Sequence, residues 1–481
     1  MLGFANIARI KLALSLSISA LPMLHWTLSA SSNRMKFVGI IVLALVVRGG
    51  VVLSNLDQFD QDPDAYRVIA ETLSETGVFG LPAGSDTAAG TEPSAKPTAF
   101  RPPLYPYLLS WLTVDHHVSD LLVGLLHLGL GVLTAACTLS IASRLIDGGR
   151  VGIASILAAV LVIIDPILVQ QSTLVMTETI AAALATLTVW FWVSRWMPSP
   201  TLANALMFAV LLALAYLCRP TFLVWAVLML PAILFSTQSC WTRRVACTFS
   251  AAMIVVLAVG LWTVRNWNAV GHPVWATSHG GYTLLLANNP SFYDYLRDGK
   301  FAEAWDAEPF LEAYAHRFQS DPTSETFWQT DWSNPDEATP EPRPLNEHED
   351  DQWSYQAAKA TIAREPSMFV WSCVVRLGRL WSPMPHHVAG RSWPPIVIVT
   401  LYYLAFWIAA LVGLYRIGRG ILTPAWWAMI TLAITLSAVH TIYWSNLRMR
   451  SPMIPSLAVF AAAGLVRPRF IKPLLVDQDA D

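Results

Sequence analysis

The stretch FVGIIVLALVVRGGVVLSNLDQFDQDPDAY, residues 37–66, joins an apolar run directly to a run of carboxylates. Residues 37–55 are an apolar run that approaches the length needed to cross a hydrocarbon layer roughly 30 Å thick. Asp57, Asp60, Asp62 and Asp64 follow directly behind it. Carboxylates gathered where a chain leaves a bilayer, followed by the aromatic and proline-rich Phe100-Arg-Pro-Pro-Leu-Tyr-Pro-Tyr107, have the composition of an active-site loop at a membrane face.

Working outward, apolar stretches recur at 119–141, 151–169, 174–196, 202–217, 222–238, 245–264, 394–415, 422–441 and 452–466. With the first, they predict about ten spans, or about eleven if the N-terminus adds one. Of the 481 residues 54% are hydrophobic and 13% charged, and the 21 tryptophans suit interfacial belts. The fold class expected is therefore an all-α polytopic membrane protein. A net charge of −2 gives no reason to expect a nucleic-acid partner. The five cysteines lie in or beside apolar segments, which argues against a disulfide framework, and no zinc-type Cys/His spacing occurs.

Basic residues in short loops set the orientation. With Arg34 and Lys36 cytoplasmic, Arg144 and Arg150, Arg195, Arg243 and Arg244, Arg416 and Arg419, and Arg467, Arg469 and Lys472 all fall on the same side. The opposite, extracytoplasmic side then receives the Asp62 loop, turns near Asp165-Pro166 and Arg219-Pro220, a large segment over 265–393, and Asn446 to Arg450. The expected organisation is an N-terminal extension over 1–34, read as an extra span, an interfacial helix or a start-site artefact. An N-terminal membrane module covers 35–264, with its first outer loop at 57–112. The 265–393 segment, a C-terminal membrane module over 394–472 and a cytoplasmic tail over 473–481 complete it.

Within the first outer loop, Asp62-Pro63 predicts a helix start, since Asp caps orphan amides and Pro suits the first helical position. Tyr66, Ile69, Ala70 and Leu73 keep helical spacing and Gly77 supplies the stop, so a short amphipathic surface helix is expected. Residues 81–99 read as a flexible loop, and Arg101-Pro-Pro opens a second surface segment. The stretch 290–351 is acidic and broken by prolines near 335–344, which predicts helices separated by an exposed linker with no large core of their own.

Five groups of residues can carry chemistry. Asp62 reads as an N-cap and Asp64 as a favourable charge in the first helical turn, and a capped carboxylate still accepts a proton from a hydroxyl. Glu178, near the end of an apolar span, needs a polar cavity or a partner such as Arg219. Arg219, Arg265, Arg448 and Arg450 defy the charge rule on the outer side, and their forked donors match phosphate oxygens. Contact with ordinary anionic headgroups is the plainer reading of each. Gly280-Gly281 through Asn288-Asn289-Pro290 forms a glycine pair, an apolar run and an Asn-Pro turn. His116-His117 and His386-His387 read as solvated or hydrogen-bonded pairs before they read as metal ligands.

Taken together, Asp62-Pro-Asp-Ala-Tyr66, Arg101-Pro-Pro-Leu-Tyr105-Pro, Thr177-Glu178, Leu217-Cys-Arg219-Pro220, Arg265-Asn266, Gly280-Gly281 to Asn288-Asn289-Pro290 and Arg448-Met-Arg450-Ser-Pro452 resemble the GT-C superfamily of membrane glycosyltransferases. The family most resembled is the protein O-mannosyltransferases, glycosyltransferase family 39, with their bacterial aminoarabinose transferase-like relatives. The motifs run in family order over most of residues 37–466.

The resemblance implies a GT-C type helical bundle with juxtamembrane helices in its first outer loop, and Asp62 as catalytic aspartate, with Asp64 and Glu178 beside it. It also implies Arg448, Arg450, Arg219 and Arg265 as ligands of a donor phosphate. Tyr66, Arg101, Tyr105, Gly280, Gly281, Asn288 and Asn289 would belong to the substrate-site loops. The family often has Asp-Glu where this chain has Asp62-Pro63, which leaves Asp64 as a second claimant to the base. The implied reaction moves a hexosyl or pentosyl group from a polyprenyl-phosphate donor to a hydroxyl of a protein, glycolipid or cell-wall polymer. It would do so with inversion, on the extracytoplasmic face of the inner or plasma membrane. Some superfamily members use a divalent metal and others none, and no cofactor follows from the motifs. The alternatives are a transporter or lipid flippase, and a non-catalytic lipid-binding subunit of the same architecture.

Overall fold

A computed structural model describes residues 31–83, 95–299, 304–330, 332, 346–386 and 392–467. The expectations for residues 1–30, most of the 81–99 loop, the 335–344 prolines, His387 and the tail over 473–481 lie outside the described residues.

All ten apolar stretches fold as helices. Five are long and apolar enough to cross a membrane singly: Ser32–Leu53, Asp120–Leu145, Trp241–Val270, Trp393–Leu422 and Pro424–Ile442. The others are shorter or broken. We number the described helices α1 (Ser31–Leu53), α2 (Tyr66–Thr76), α3 (Leu104–Ser110), α4 (Asp120–Leu145), α5 (Ile153–Ile164), α6 (Pro166–Gln171), α7 (Glu178–Phe191), α8 (Leu202–Cys218), α9 (Phe222–Phe235) and α10 (Trp241–Val270). There follow α11 (Gly280–Ala287), α12 (Pro290–Asp298), α13 (Glu308–Ala315), α14 (Glu325–Gln329), α15 (Glu347–Arg364), α16 (Pro366–Trp381), α17 (Trp393–Ile417), α18 (Trp427–Ile442) and α19 (Ile454–Leu465). Among the described residues, strands are confined to two small antiparallel pairs, Gly80–Pro82 with Ala95–Pro97 and Thr113–Val114 with His117–Val118.

Asp165-Pro166 is not the outer turn expected of it. Pro166 has no amide hydrogen, so the α5 ladder ends there and frees the carbonyls behind it. Arg48, buried in α1, takes up Val162 O at 2.6 Å, Ile163 O at 2.8 Å and Leu168 O at 2.5 Å. Asp165 accepts from Leu168 N at 2.9 Å and from the Tyr403 hydroxyl at 2.9 Å, and is fully buried. The break is thus satisfied inside the bundle, as irregular backbone within a membrane protein must be. The chain turns later, between Gln171 and Glu178. Gly413 and Gly464 lie where α17 and α19 touch backbone to backbone; a Cβ on either would strike a carbonyl of the other helix.

The 54–119 and 271–365 segments meet at one end of the bundle, the loop face, where Arg265 donates to Thr98 O at 2.6 Å and Ser278 N to Ala99 O at 3.0 Å. The second segment carries a core of its own, small and aromatic: Leu284, Leu285, Phe310, Ala357 and Ala358, packed by Trp305, Tyr314, Trp328 and Tyr355. Composition hid it because its apolar residues are spread thinly among carboxylates. At its end, α16 turns Val370, Trp371, Val374 and Leu377 outward while Arg376, Arg379 and Leu380 are buried. Arg376 donates to Thr441 O at 2.8 Å and Ala287 O at 2.5 Å. Apolar outside and charged inside is the reverse of a water-facing helix and suits one that faces lipid. Two arginines in sixteen residues keep it from reading as an apolar run.

Candidate active site at the loop face

The helix after the carboxylate run begins at Tyr66, three residues beyond the expected start. Asp62 to Ala65 form a turn closed by Ala65 N to Asp62 O at 3.3 Å, and Ala65 stands at φ 59°, a left-handed conformation in which an alanine is uncommon. The turn swings the Asp62 side chain back over the first turn of α2, where Oδ2 accepts from Val68 N at 3.0 Å. Asp62 therefore still serves the orphan amides, from outside the helix instead of at its first residue. At the other end Gly77, at φ 72°, closes α2 as expected, its N–H donating to Leu73 O at 3.0 Å. Asp62 Oδ1 is buried without a hydrogen-bond partner. Burial pushes its carboxyl above the usual aspartate range, against the amides of Val68, Tyr66 and Arg67, with the neighbouring Asp64 charge adding to the rise.

Asp64 faces another partner. Arg101 donates Nη2 to Asp64 Oδ1 at 2.9 Å and Nε to Asp64 O at 2.6 Å, and its guanidinium lies 4.4 Å from the Phe100 ring and 5.5 Å from the Tyr66 ring. The pair clamps the Asp62 turn onto the Arg101-Pro-Pro segment. Tyr66 packs edge-on against Tyr105 at 5.4 Å. The Tyr105 hydroxyl donates to His127 Nε2 at 2.8 Å, because His127 Nδ1–H is committed to Ser172 O at 3.1 Å. Burial pushes the Tyr66 phenol up to about 12, with the charges of Arg101, Asp64, Arg219 and Glu178 all acting on it. Its hydroxyl remains a proton donor and hydrogen-bonds no described residue.

The second half of the site is ionic. Glu178, the first residue of α7, is fully buried; Arg219 Nη2 approaches its Oε1 at 3.0 Å and Arg448 Nε at 3.6 Å. Glu178 Oε2 has no partner. Arg219 comes from the end of α8 and Arg448 from a 3₁₀ segment over Leu447–Met453, held by Asn446, whose side chain accepts from Arg448 N at 3.1 Å. Thr173 Oγ1 donates to Gln58 Oε1 at 2.9 Å, which ties the turn before Glu178 to the start of the carboxylate loop. Arg448 is about one third exposed, and its Nη1 lies 4.0 Å from Met176 Sδ beside the pair.

The other predicted residues are committed elsewhere. Arg265 donates to Thr98 O and Phe79 O, both at 2.6 Å, and lies over Phe79 and Trp262, pinning the first loop to α10. Arg450, fully buried, donates to Leu380 O at 3.0 Å and Ser382 O at 2.6 Å, with its guanidinium 4.1 Å from the Tyr403 ring. Asn288 Nδ2 donates to Leu284 O at 2.8 Å and Asn289 caps α12 through Phe292 N at 2.9 Å. Gly280 and Gly281 let α11 lie against α15: a Cβ would strike the Tyr355 hydroxyl at one and the Asp351 carbonyl at the other. Of the four arginines, Arg219 and Arg448 are brought to Glu178; Arg265 and Arg450 are not.

Two carboxylates of α15 escaped sequence reading because acidic residues crowd that region. Glu347 accepts from Thr98 Oγ1 at 2.5 Å and Ala99 N at 2.6 Å, fastening the first loop from above. Asp351 accepts from Gly281 N at 2.6 Å, yet burial first, then the charges of Asp350 and Glu347, push its carboxyl up to about 6. Its folded pKa exceeds the unfolded value of about 3.9, so this group favours folding most below that value and loses the advantage as pH rises through about 6. Asp351→Asn, which keeps the acceptor for Gly281, is expected to raise Tm at pH 7.5 and leave it unchanged at pH 4. An equal shift at both pH values would refute the assignment.

Among the described residues no group of three or more His, Cys, Asp or Glu side chains could hold a metal ion. His116 lies within 3.4 Å of the Ser74 hydroxyl and His117 is exposed.

No family model and no curated protein sequence matches the chain. Among solved structures, the chain is similar to the archaeal oligosaccharyltransferase AglB of Archaeoglobus fulgidus, in complex with an inhibitory peptide and a dolichol-phosphate. That match has 13% identity and a TM-score of 0.46, over 89% of this chain and 50% of that one. The chain therefore spans about half the length of that protein. It is also similar to ArnT of Cupriavidus metallidurans bound to undecaprenyl phosphate, at 15% identity and a TM-score of 0.37, over 88% of this chain and 78% of that one.

Proposed function

We propose that this integral membrane protein is a glycosyltransferase that moves a sugar from a polyprenyl phosphate to an acceptor hydroxyl, with inversion, at the loop face. The observation that carries the reading is the pairing of two preorganised groups. Asp62 is a carboxylate held by helix amides with one oxygen unengaged. Beside its loop, Arg219 and Arg448 converge on a buried glutamate. The first suits a base, the second a site for a leaving phosphate.

In this mechanism the acceptor oxygen attacks the anomeric carbon as Asp62 takes its proton. The bond from that carbon to the phosphate oxygen breaks, and the electron pair departs with the polyprenyl phosphate. Arg448, one third exposed, binds the phosphate charge; Arg219, paired with Glu178, supports it from behind. Asp64 positions the loop through Arg101, and the free Tyr66 hydroxyl is placed to donate to a substrate oxygen. No acid catalyst is needed, because polyprenyl phosphate leaves as a stabilised phosphate monoester anion, unlike the alkoxide of most glycoside hydrolyses. Whether sugar and acceptor meet on the extracytoplasmic face of an inner or plasma membrane follows from the alternation of basic loops, which supports that orientation.

The test is release of free polyprenyl phosphate from labelled polyprenyl-phosphate hexoses and pentoses by purified protein given a crude membrane extract as acceptor. Acceptor-dependent release is the expected result. Binding of polyprenyl phosphate without release from any donor would move the chain to a non-catalytic lipid-binding role, and translocation of the lipid between leaflets to a flippase.

A further inference from the structure

We infer that a cavity between the Arg317–Ser320 turn and α15 binds an uncharged sugar unit of a hydroxyl-rich acceptor. The inference deepens the reading of glycosyl transfer and rests on it for the acceptor role alone. The cavity measures about 590 Å³, within the range of small-molecule sites. Its floor is stiff: Arg317 donates to both oxygens of Asp350 at 2.7 and 2.9 Å, with its guanidinium between Tyr314 at 4.0 Å and Phe318 at 4.1 Å. Phe318 in turn stacks parallel to Trp353, with 6.4 Å between centroids and 7° between planes.

That offset stack gives the cavity a flat aromatic surface. Beside it Gln352 and Gln356, one turn apart on α15, are exposed and hydrogen-bond no described residue, and Gln319 lines the opposite side. A primary amide offers a donor and an acceptor on adjacent atoms, which matches vicinal ring hydroxyls, while the C–H face of a pyranose lies against an aromatic ring. Asp350 cancels the Arg317 charge and Glu349, which also lines the cavity, is a carboxylate, so the walls leave no unpaired cation for an anionic ligand. A peptide adding as a strand would need free backbone groups, and α15 has none at this level because its own helix consumes them.

Location connects the cavity to the proposed chemistry. The helix that supplies Gln352, Trp353 and Gln356 also supplies Glu347, which fastens Thr98 and Ala99, and Asp351, which takes Gly281 N. A sugar seated there is held by the element that secures the Asp62-bearing loop. This would let an extended acceptor be anchored one or more units away from the hydroxyl that reacts.

The experiment uses the full chain in lipid nanodiscs, titrated with neutral manno-, gluco- and galacto-trisaccharides blocked at the reducing end and followed by tryptophan fluorescence and saturation-transfer NMR. At least one trisaccharide is expected to bind, with about tenfold weaker affinity in Trp353→Ala and in the double variant Gln352→Ala, Gln356→Ala. Asp62→Asn is expected to bind it as wild type does. The glutamine pair is exposed, so that variant reports on binding even if Trp353→Ala fails to fold. Unchanged affinity in the glutamine variant, no binding of any trisaccharide by wild type, or capture of peptides in their place would overturn the inference. Donor turnover measured on the same preparation decides separately whether the transferase reading stands.

Discussion

Asp62→Asn is expected to lower donor turnover by about 10²- to 10⁴-fold while leaving affinity for polyprenyl phosphate unchanged. Asparagine keeps the shape and the acceptor for Val68 N, so the turn and the start of α2 survive; what is lost is the capacity to take a proton. The wild-type acid limb carries a second signature. Burial raises the Asp62 carboxyl, and a base works only when ionised, so kcat/KM should fall with decreasing pH at a point above the ordinary aspartate value of about 3.9. Asp64→Asn, which weakens the Arg101 clamp, should leave the position of that limb in place. A limb that follows Asp64 instead, or full turnover by Asp62→Asn, would transfer the base from Asp62.

The arginines should divide sharply. Arg219→Ala leaves Glu178, with 0% side-chain exposure, facing only Arg448 Nε at 3.6 Å. Breaking a buried pair costs about 3–5 kcal/mol, so this variant should lose folded protein before it loses affinity. Arg448→Ala leaves the 3.0 Å pair of Glu178 and Arg219 intact. It should fold and bind polyprenyl phosphate about 10- to 100-fold more weakly, as removal of a charged hydrogen-bond donor worth about 1.5–3 kcal/mol implies. Thermal melting in detergent with lipid-phosphate binding on each variant separates the two. Unaltered affinity in a folded Arg448→Ala protein would locate the phosphate elsewhere.

Arg265 and Arg450 illustrate what a sequence leaves undecided. By charge and by position at span ends they are equals of Arg219 and Arg448, and the resemblance to GT-C transferases drew all four into one group. A guanidinium serves a carbonyl as readily as a phosphate. Which it serves depends on the residues that packing brings to it. Arg265 meets the carbonyls of Phe79 and Thr98, which flank a strand pair, and Arg450 those at the end of α16.

Local chemistry is settled by neighbours in the chain, and here most of it was legible. Each apolar stretch became a helix because the helix satisfies its own backbone. Gly77 ended α2 because its φ of 72° costs glycine little, and Asn289-Pro290 opened α12 because one caps and the other needs no amide partner. The start of α2 at Tyr66 was not legible, since Arg101, thirty-seven residues away from Asp64, holds the Asp62 turn out of the helix. Arg219 was legible as one candidate partner of Glu178, 41 residues away, but the approach of Arg448 to the same carboxylate was not. Hydropathy and capping sum over a few adjacent residues, so the amino-acid sequence alone determined the membrane class and the helices. Ion pairs form between whatever the packed bundle brings within a few ångströms, so only the tertiary structure decided that Asp62 and Glu178 each keep an oxygen without a partner and that Arg219 and Arg448, of four arginines, stand beside Glu178.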